Sequence, residues 1–170
     1  INETVAMAFS LTEEAMEDNL YDTLSSRYTK ALARSMQTTK QIKGANVLNN
    51  AFTSGTGGDG AYLCSSSHPT VENVSLSNIL STASDLNETS LEQALIDIAG
   101  FKDERGLRIN AQATRLLIPA ALQFVADRLM ESPGRTGTAD NDINAVRNMG
   151  MVPQGYSVNH YLTDTDAWFL

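Results

Sequence analysis

The side chains best suited by type to do chemistry cluster between positions 54 and 70. Ser65, Ser66 and Ser67 run directly into His68, the hydroxyl-plus-imidazole combination that acyl-transfer enzymes use as nucleophile and base. Neighbours in sequence seldom face one another productively, and no Gly-x-Ser-x-Gly elbow presents a serine on a strained turn. Hydrolysis through Ser65, Ser66 or Ser67 and His68 is a minor alternative. Just upstream, Gly55, Gly57, Gly58 and Gly60 place four glycines within six residues. That loop has the composition of a phosphate cradle, but it lacks the preceding strand, the following helix and the Lys-Ser/Thr pair that bind the anion. A flexible turn is the better reading.

Other candidates are equally spare. Cys64 is the single cysteine and the two histidines are His68 and His160, so no internal disulfide and no common metal-ligand set is expected. Set in an apolar Tyr-Leu-Cys stretch, Cys64 reads as a small core residue in a reducing compartment. Asp164 and Asp166 sit beside Trp168 among turn-forming residues, where solvated side chains are the simplest expectation. No catalytic residue, cofactor or metal is expected.

The 170 residues are 42% hydrophobic and 19% charged, an ordinary globular composition. Twenty acids against twelve bases give a net charge of −8, which argues against a basic nucleic-acid footprint. No stretch of about 18 apolar residues exists to span a bilayer. The chain begins at Ile1 without a basic leader and stops within the apolar Trp168-Phe-Leu170, so it reads as an excerpt of a longer polypeptide.

The elements that position these residues begin with Ser10-Leu-Thr-Glu13, a match to the Ser-x-x-Glu capping box. From there to Lys43 there is neither Gly nor Pro, and the pattern predicts one long helix over about 11–43. Met16, Leu20, Leu24, Tyr28, Leu32 and Met36 recur every fourth residue, so their stripe drifts around a helix that turns in 3.6. Two readings fit: a helix touching different neighbours at its two ends, or a bundle helix whose face Ala15, Ala31 and Ala33 complete. Residues 1–22 hold six acids and no base, and residues 27–43 hold five bases and no acid. Complementarity to the helix macrodipole accounts for such a division. A head-to-tail device, in which Glu14 and Asp18 of one copy meet Arg27 and Arg34 of the next, accounts for it as well.

Further along, Ala61-Tyr-Leu-Cys64 predicts a short strand and Ser67-His-Pro69 a turn. Ser90-x-x-Gln93 opens a helix carrying Leu91, Ala94, Leu95, Ile98 and Ala99 on one face, ended by Gly100. Leu107 and Ile109 alternate after a polar turn, and Arg115-Leu-Leu-Ile118 predicts a buried strand stopped by Pro119. A third helix follows with Leu122, Val125, Ala126, Leu129 and Met130 inward, ending at Pro133-Gly134. Residues 134–150 form a polar excursion, short strands are expected near Val152 and over 157–162, Thr163-Asp-Thr-Asp166 makes a turn, and 167–170 start another strand.

This order of elements resembles a known family. Tyr28-Thr-Lys-Ala-Leu-Ala-Arg-Ser35, Asp59-Gly-Ala-Tyr-Leu-Cys-Ser65 with Ser67-His-Pro69, Leu107-Arg-Ile-Asn with Arg115-Leu-Leu-Ile-Pro-Ala-Ala-Leu122, Ala126-Asp-Arg-Leu-Met-Glu-Ser132 and Asp164-Thr-Asp-Ala-Trp-Phe-Leu170 together look like a tailed-bacteriophage major capsid protein. Among its branches the chain is most similar to the Mu-type major head subunit, over nearly its whole length. Cys64 stands where an aromatic residue is common in that family.

The resemblance implies an α+β fold of the Hong Kong ninety-seven type. Residues 1–70 would belong to a peripheral lobe with the spine helix at about 11–43 and the Gly-rich loop at 54–60. Residues 71–170 would be mainly the axial lobe, truncated at its C-terminal end. It implies a structural virion protein that self-assembles into hexamers and pentamers of an icosahedral head enclosing double-stranded DNA, without sequence-specific binding and without a membrane. Scaffold and other virion proteins would be partners, assembly would take place in the host cytoplasm, and a decoration or tail component is the alternative. The 134–150 loop would lie near the capsomer axis, which adds Arg135 and Asp140 to Glu14, Asp18, Arg27 and Arg34 as expected subunit-interface residues.

Overall fold

Leu91, Leu116 and Ile118 are the largest fully buried side chains, and the elements that carry them organise most of the molecule. The computed structural model describes residues 4–18, 21–72, 75–135 and 142–170. The chain divides into two compact units, Ile1–Ala45 and Asn46–Leu170.

The first unit contains α1 (Glu13–Glu17) and most of α2 (Tyr21–Asn49). A single helix over 11–43 is therefore corrected to two. The cap is also displaced from Ser10: Thr12 adopts the extended N-cap conformation and its side chain accepts from the Ala15 amide at 3.3 Å. α1 closes at Asp18, whose amide bonds back to Glu14 and Met16. Glu13/Glu17 and Glu14/Asp18 stack like charges at i,i+4, and such pairs weaken a helix where it lacks tertiary support. α2 does not stop before Gly44 but runs six residues past Lys43. One helical glycine costs about 1 kcal/mol, which a 29-residue helix absorbs. Leu24, Leu32 and Met36 are half-buried on α2, whereas Met16 and Tyr28 are exposed. Phe9 meets Tyr28 with ring centroids 5.7 Å apart, tying the segment before α1 to α2.

The second unit holds the main core. It is built from Leu86, the buried face of α3 (Glu88–Ala99), β3 (Leu116–Ile118), α4 (Gln123–Glu131), α5 (Ala145–Asn148) and Val152. Asn87 caps α3 and Ser90 occupies its third position, each side chain bonding the other's backbone. The capping box is thus Asn87/Ser90, and Ser90 is its inner member instead of the cap. α3 ends at Gly100, where the periodicity placed it. β3 is buried at Leu116 and Ile118 and pairs in parallel with β4 (Tyr156–Val158), Leu116 opposite Tyr156 and Ile118 opposite Val158. Phe169 bridges Leu117 from the other side. Pro119 leads into a single 3₁₀ turn, Ala120–Leu122, before α4 begins.

Small strands β1 (His68–Pro69) and β2 (Ser75–Leu76) pair antiparallel. Two expectations are corrected here. Ser67-His-Pro69 enters a strand instead of a turn, and Ala61-Tyr-Leu-Cys64 is not a strand. The backbone around 61–65 is engaged elsewhere: the Cys64 amide donates to Ala51, and the Asn78 side chain accepts from Ser65 and donates to Leu63. Val152 and residues 159–162 likewise lie outside strands. Strand and helix together make a mixed α+β unit with very short strands.

Candidate functional site

The 54–70 segment folds around Asp59. Its Oδ1 accepts the Ala61 amide at 3.1 Å, and its Oδ2 lies 2.6 Å from Nδ1 of His68. Gly57 and Gly60 make this possible. A Cβ at Gly57 would come within 2.9 Å of Oδ1, and Gly60 holds φ +79°, a conformation in which a side chain is strained. Hydrogen bonds from His68 and from the Ala61 amide hold the Asp59 carboxyl below its usual range.

This arrangement does not assemble a serine nucleophile. Ser65 Oγ accepts the Ser67 amide, and Ser75 Oγ donates to Ser67 Oγ. Nε2 of His68, the nitrogen that would take a proton in such chemistry, is buried with no hydrogen-bond partner. The pair instead pins the Gly-rich loop to β1. Sequence reading missed it because nothing periodic links two residues nine apart across a glycine loop. Cys64 is half-buried and desolvation pushes its thiol up, which suits a packing residue. Among the described residues no group of three or more His, Cys, Asp and Glu side chains is arranged to hold a metal.

Asp164 and Asp166 adjoin in the expected turn, with the Asp166 amide donating to Asp164 Oδ1 at 3.3 Å. Their mutual hydrogen bond lowers Asp164 and raises Asp166. Trp168 Nε1 donates to the Ser84 carbonyl at 3.1 Å, and that anchors the turn to the loop before α3.

The expected interface residues distribute as follows. Glu14 lies on α1, Asp18 caps it, and both are exposed. Arg27 and Arg34, two turns apart, are exposed along one face of α2. They stand, with Lys30, in the N-terminal half of α2, and the last turn of that helix carries no base. Macrodipole complementarity therefore does not account for these cations. In the second unit Arg135 reaches Glu88 at the start of α3, Nε to Oε2 3.0 Å. Asp140 lies outside the described residues.

Arg135 stands at the foot of the 134–150 excursion, which is more ordered at its base than its composition implied. Gly134 bridges Ile143, the Arg135 amide donates to Asp142, and α5 occupies 145–148. Asn144, buried, ties this base to the end of α4 through Leu129 and Ser132.

Two shallow grooves flank α4. One is lined by Gln123, Phe124, Asp127, Tyr156 and Val158, and the other by Pro133, Ile143, Asn144, Arg147 and Asn148. Phe124, Ile143 and the adjacent Met149 are about two-thirds exposed, at 68%, 67% and 68%. Tyr156 donates its hydroxyl to Asp127 at 3.1 Å, and that bond, with the charges of Asp127 and Glu131, pushes the phenol up. The grooves are surface features of the kind that contact other proteins.

Comparison with known protein families matches residues 3–170 to the family described as phage capsid protein. No curated protein and no solved structure matches the chain. With nearly every residue matched, the chain belongs to the phage capsid protein family and is a structural protein of the bacteriophage virion.

Proposed function

We propose that this chain is the major head subunit of a tailed phage, of the Mu-type branch and the Hong Kong ninety-seven type fold. It closes hexamers and pentamers of an icosahedral shell around double-stranded DNA. The observation that carries this reading is the capsid-family match over 3–170. In this reading residues 1–70 contribute to the peripheral lobe, with α2 as its spine, and 71–170 contribute mainly to the axial lobe. Assembly takes place in the host cytoplasm with scaffold and other virion proteins as partners.

The character of the first unit supports it. Among its described residues only Ala45 is buried, while Val5, Met7, Phe9, Met16, Tyr28 and Ile42 are exposed. Apolar side chains left open over one segment are what contact with other copies would cover. Arg27 and Arg34, which the helix dipole does not explain, are free to meet Glu14 and Asp18 of a neighbour, where charge sets register and partner choice more than raw affinity. The acidic balance of −8 suits a wall that encloses DNA without gripping its phosphates.

Electron microscopy and sedimentation of the expressed full-length protein test the reading. Shells or capsomers are expected, with this protein the most abundant chain in purified particles. A monomer at high concentration, with and without a co-expressed scaffold, overturns it, and a low copy number per particle identifies a decoration or tail component instead.

A further inference from the structure

The two grooves beside α4 are opposite in charge and alike in apolar character. In the first, Phe124 projects beside Asp127, and Glu131 follows one turn later on the same helix. Asp127 lines this groove and accepts the Tyr156 hydroxyl at 3.1 Å, so the Tyr156 side of the groove carries an acid. The strand beneath it, β4, is an edge strand of the β3–β4 pair. In the second groove, Ile143 and Met149 are exposed around α5, and Arg147 is exposed with no ion pair to any described residue.

We infer that these grooves are the two halves of one contact between copies of this chain: the Phe124–Asp127–Tyr156 groove of one subunit meets the exposed Ile143 and Arg147 side chains at the rim of the other groove of the next, with Met149 beside them. Charge decides the pairing. A contact of either groove with its own copy would set Asp127 against Asp127 or Arg147 against Arg147, and like charges at an interface cost several kcal/mol. The crossed arrangement puts Arg147 against Asp127 and buries three large apolar side chains that the isolated chain leaves in water. Because it uses different patches on the two partners, it can close a ring when repeated as a heterologous contact. The inference rests on the assembly reading above and adds to it which surface meets which.

The test is a charge swap in the full-length protein. Asp127→Arg and Arg147→Asp are each expected to lower the assembled fraction about tenfold or more, and the double variant is expected to recover most of the loss. As a second measurement, Phe124→Cys and Ile143→Cys are combined in a Cys64→Ser background and mildly oxidised. A ladder of crosslinked oligomers is expected, and Phe124→Cys alone should give none. The inference is overturned by single variants that assemble like the parent, by a double variant as impaired as the singles, or by dimers from Phe124→Cys alone. In each of these cases the parent still assembles and the proposed function stands. A parent protein that never assembles overturns both.

Discussion

The side-chain nitrogen of Asn144 donates to the carbonyl of Leu129 at 2.6 Å and to that of Ser132 at 3.1 Å, while its oxygen accepts the Arg147 amide at 3.2 Å. One buried amide thus satisfies a last-turn carbonyl of α4, the carbonyl of its C-cap Ser132 and the third amide of α5. It is also the fixed point at the base of the 134–150 excursion.

Asn144→Ala removes all three bonds and leaves buried backbone groups unpaired, so a loss of about 1–3 kcal/mol is expected. Asn144→Asp keeps the acceptor for Arg147 but places carboxylate oxygens against two carbonyls, and it should be at least as damaging at neutral pH. Denaturant unfolding of the three proteins checks the order. Parent-like stability of the alanine variant would show that water replaces the amide at no cost.

The Asp59–His68 pair predicts an acid-sensitive loop. Asp59 is held below its ordinary value of 3.8 in the folded chain, so it binds fewer protons folded than unfolded. Its contribution to stability is therefore full above about 3.8 and is lost as the pH falls from there through the lower folded value. Amide protection at Ala61 and Gly57, measured against the intrinsic exchange rate at each pH, should fall over that range. In Asp59→Asn the acid dependence should disappear, and an unchanged pH profile in that variant would remove Asp59 as its source.

Tyr156 gives the opposite sign at the alkaline end. Its hydrogen bond to Asp127 favours the neutral phenol, so its folded value lies above the ordinary 10.0. Stabilisation is full below 10.0 and is lost as the pH rises through the raised value. Phenolate absorbance should report a late-titrating tyrosine that a Tyr156→Phe variant lacks. In Asp127→Asn, where the carboxylate charge is gone, that titration should return towards 10.0.

Reversing both Arg27→Glu and Arg34→Glu tests whether the α2 cations face a neighbour. Assembly is expected to fall while helix content and thermal unfolding stay close to the parent, because both side chains are exposed and exposed charges contribute little to a monomer's stability. Equal loss of folding and assembly would return these residues to an intramolecular role. Adding Glu14→Arg and Asp18→Arg to the reversed chain should restore assembly if the two ends of the segment meet in neighbouring copies.

Much of the secondary structure was legible because local patterns encode it. The apolar face of α3, except Ala99, which is exposed at the helix end, the pre-proline strand at Leu116–Ile118 and the face of α4 appear where spacing placed them. Burial of Leu91, Leu95, Leu116, Ile118, Ala126 and Leu129 follows from the same periodicities. Where adjacent capping signals compete, local reading fails. Ser10 and Thr12 both make good N-caps, and so do Asn87 and Ser90, and only the settled chain shows which one the backbone uses.

Composition alone determined that the 170 residues hold a single cysteine and an acidic balance. Residue order alone determined the core-facing helices and the buried strand, since a period of 3.6 or 2 is a property of the backbone itself. The tertiary structure decided everything that joins residues far apart. It seated His68 on Asp59, hung the base of the 134–150 excursion on Asn144, and set Tyr156 on Asp127. It also left Phe124, Ile143 and Met149 in the open. Those pairings depend on which segments the core brings together, a long-range outcome that no local spacing specifies.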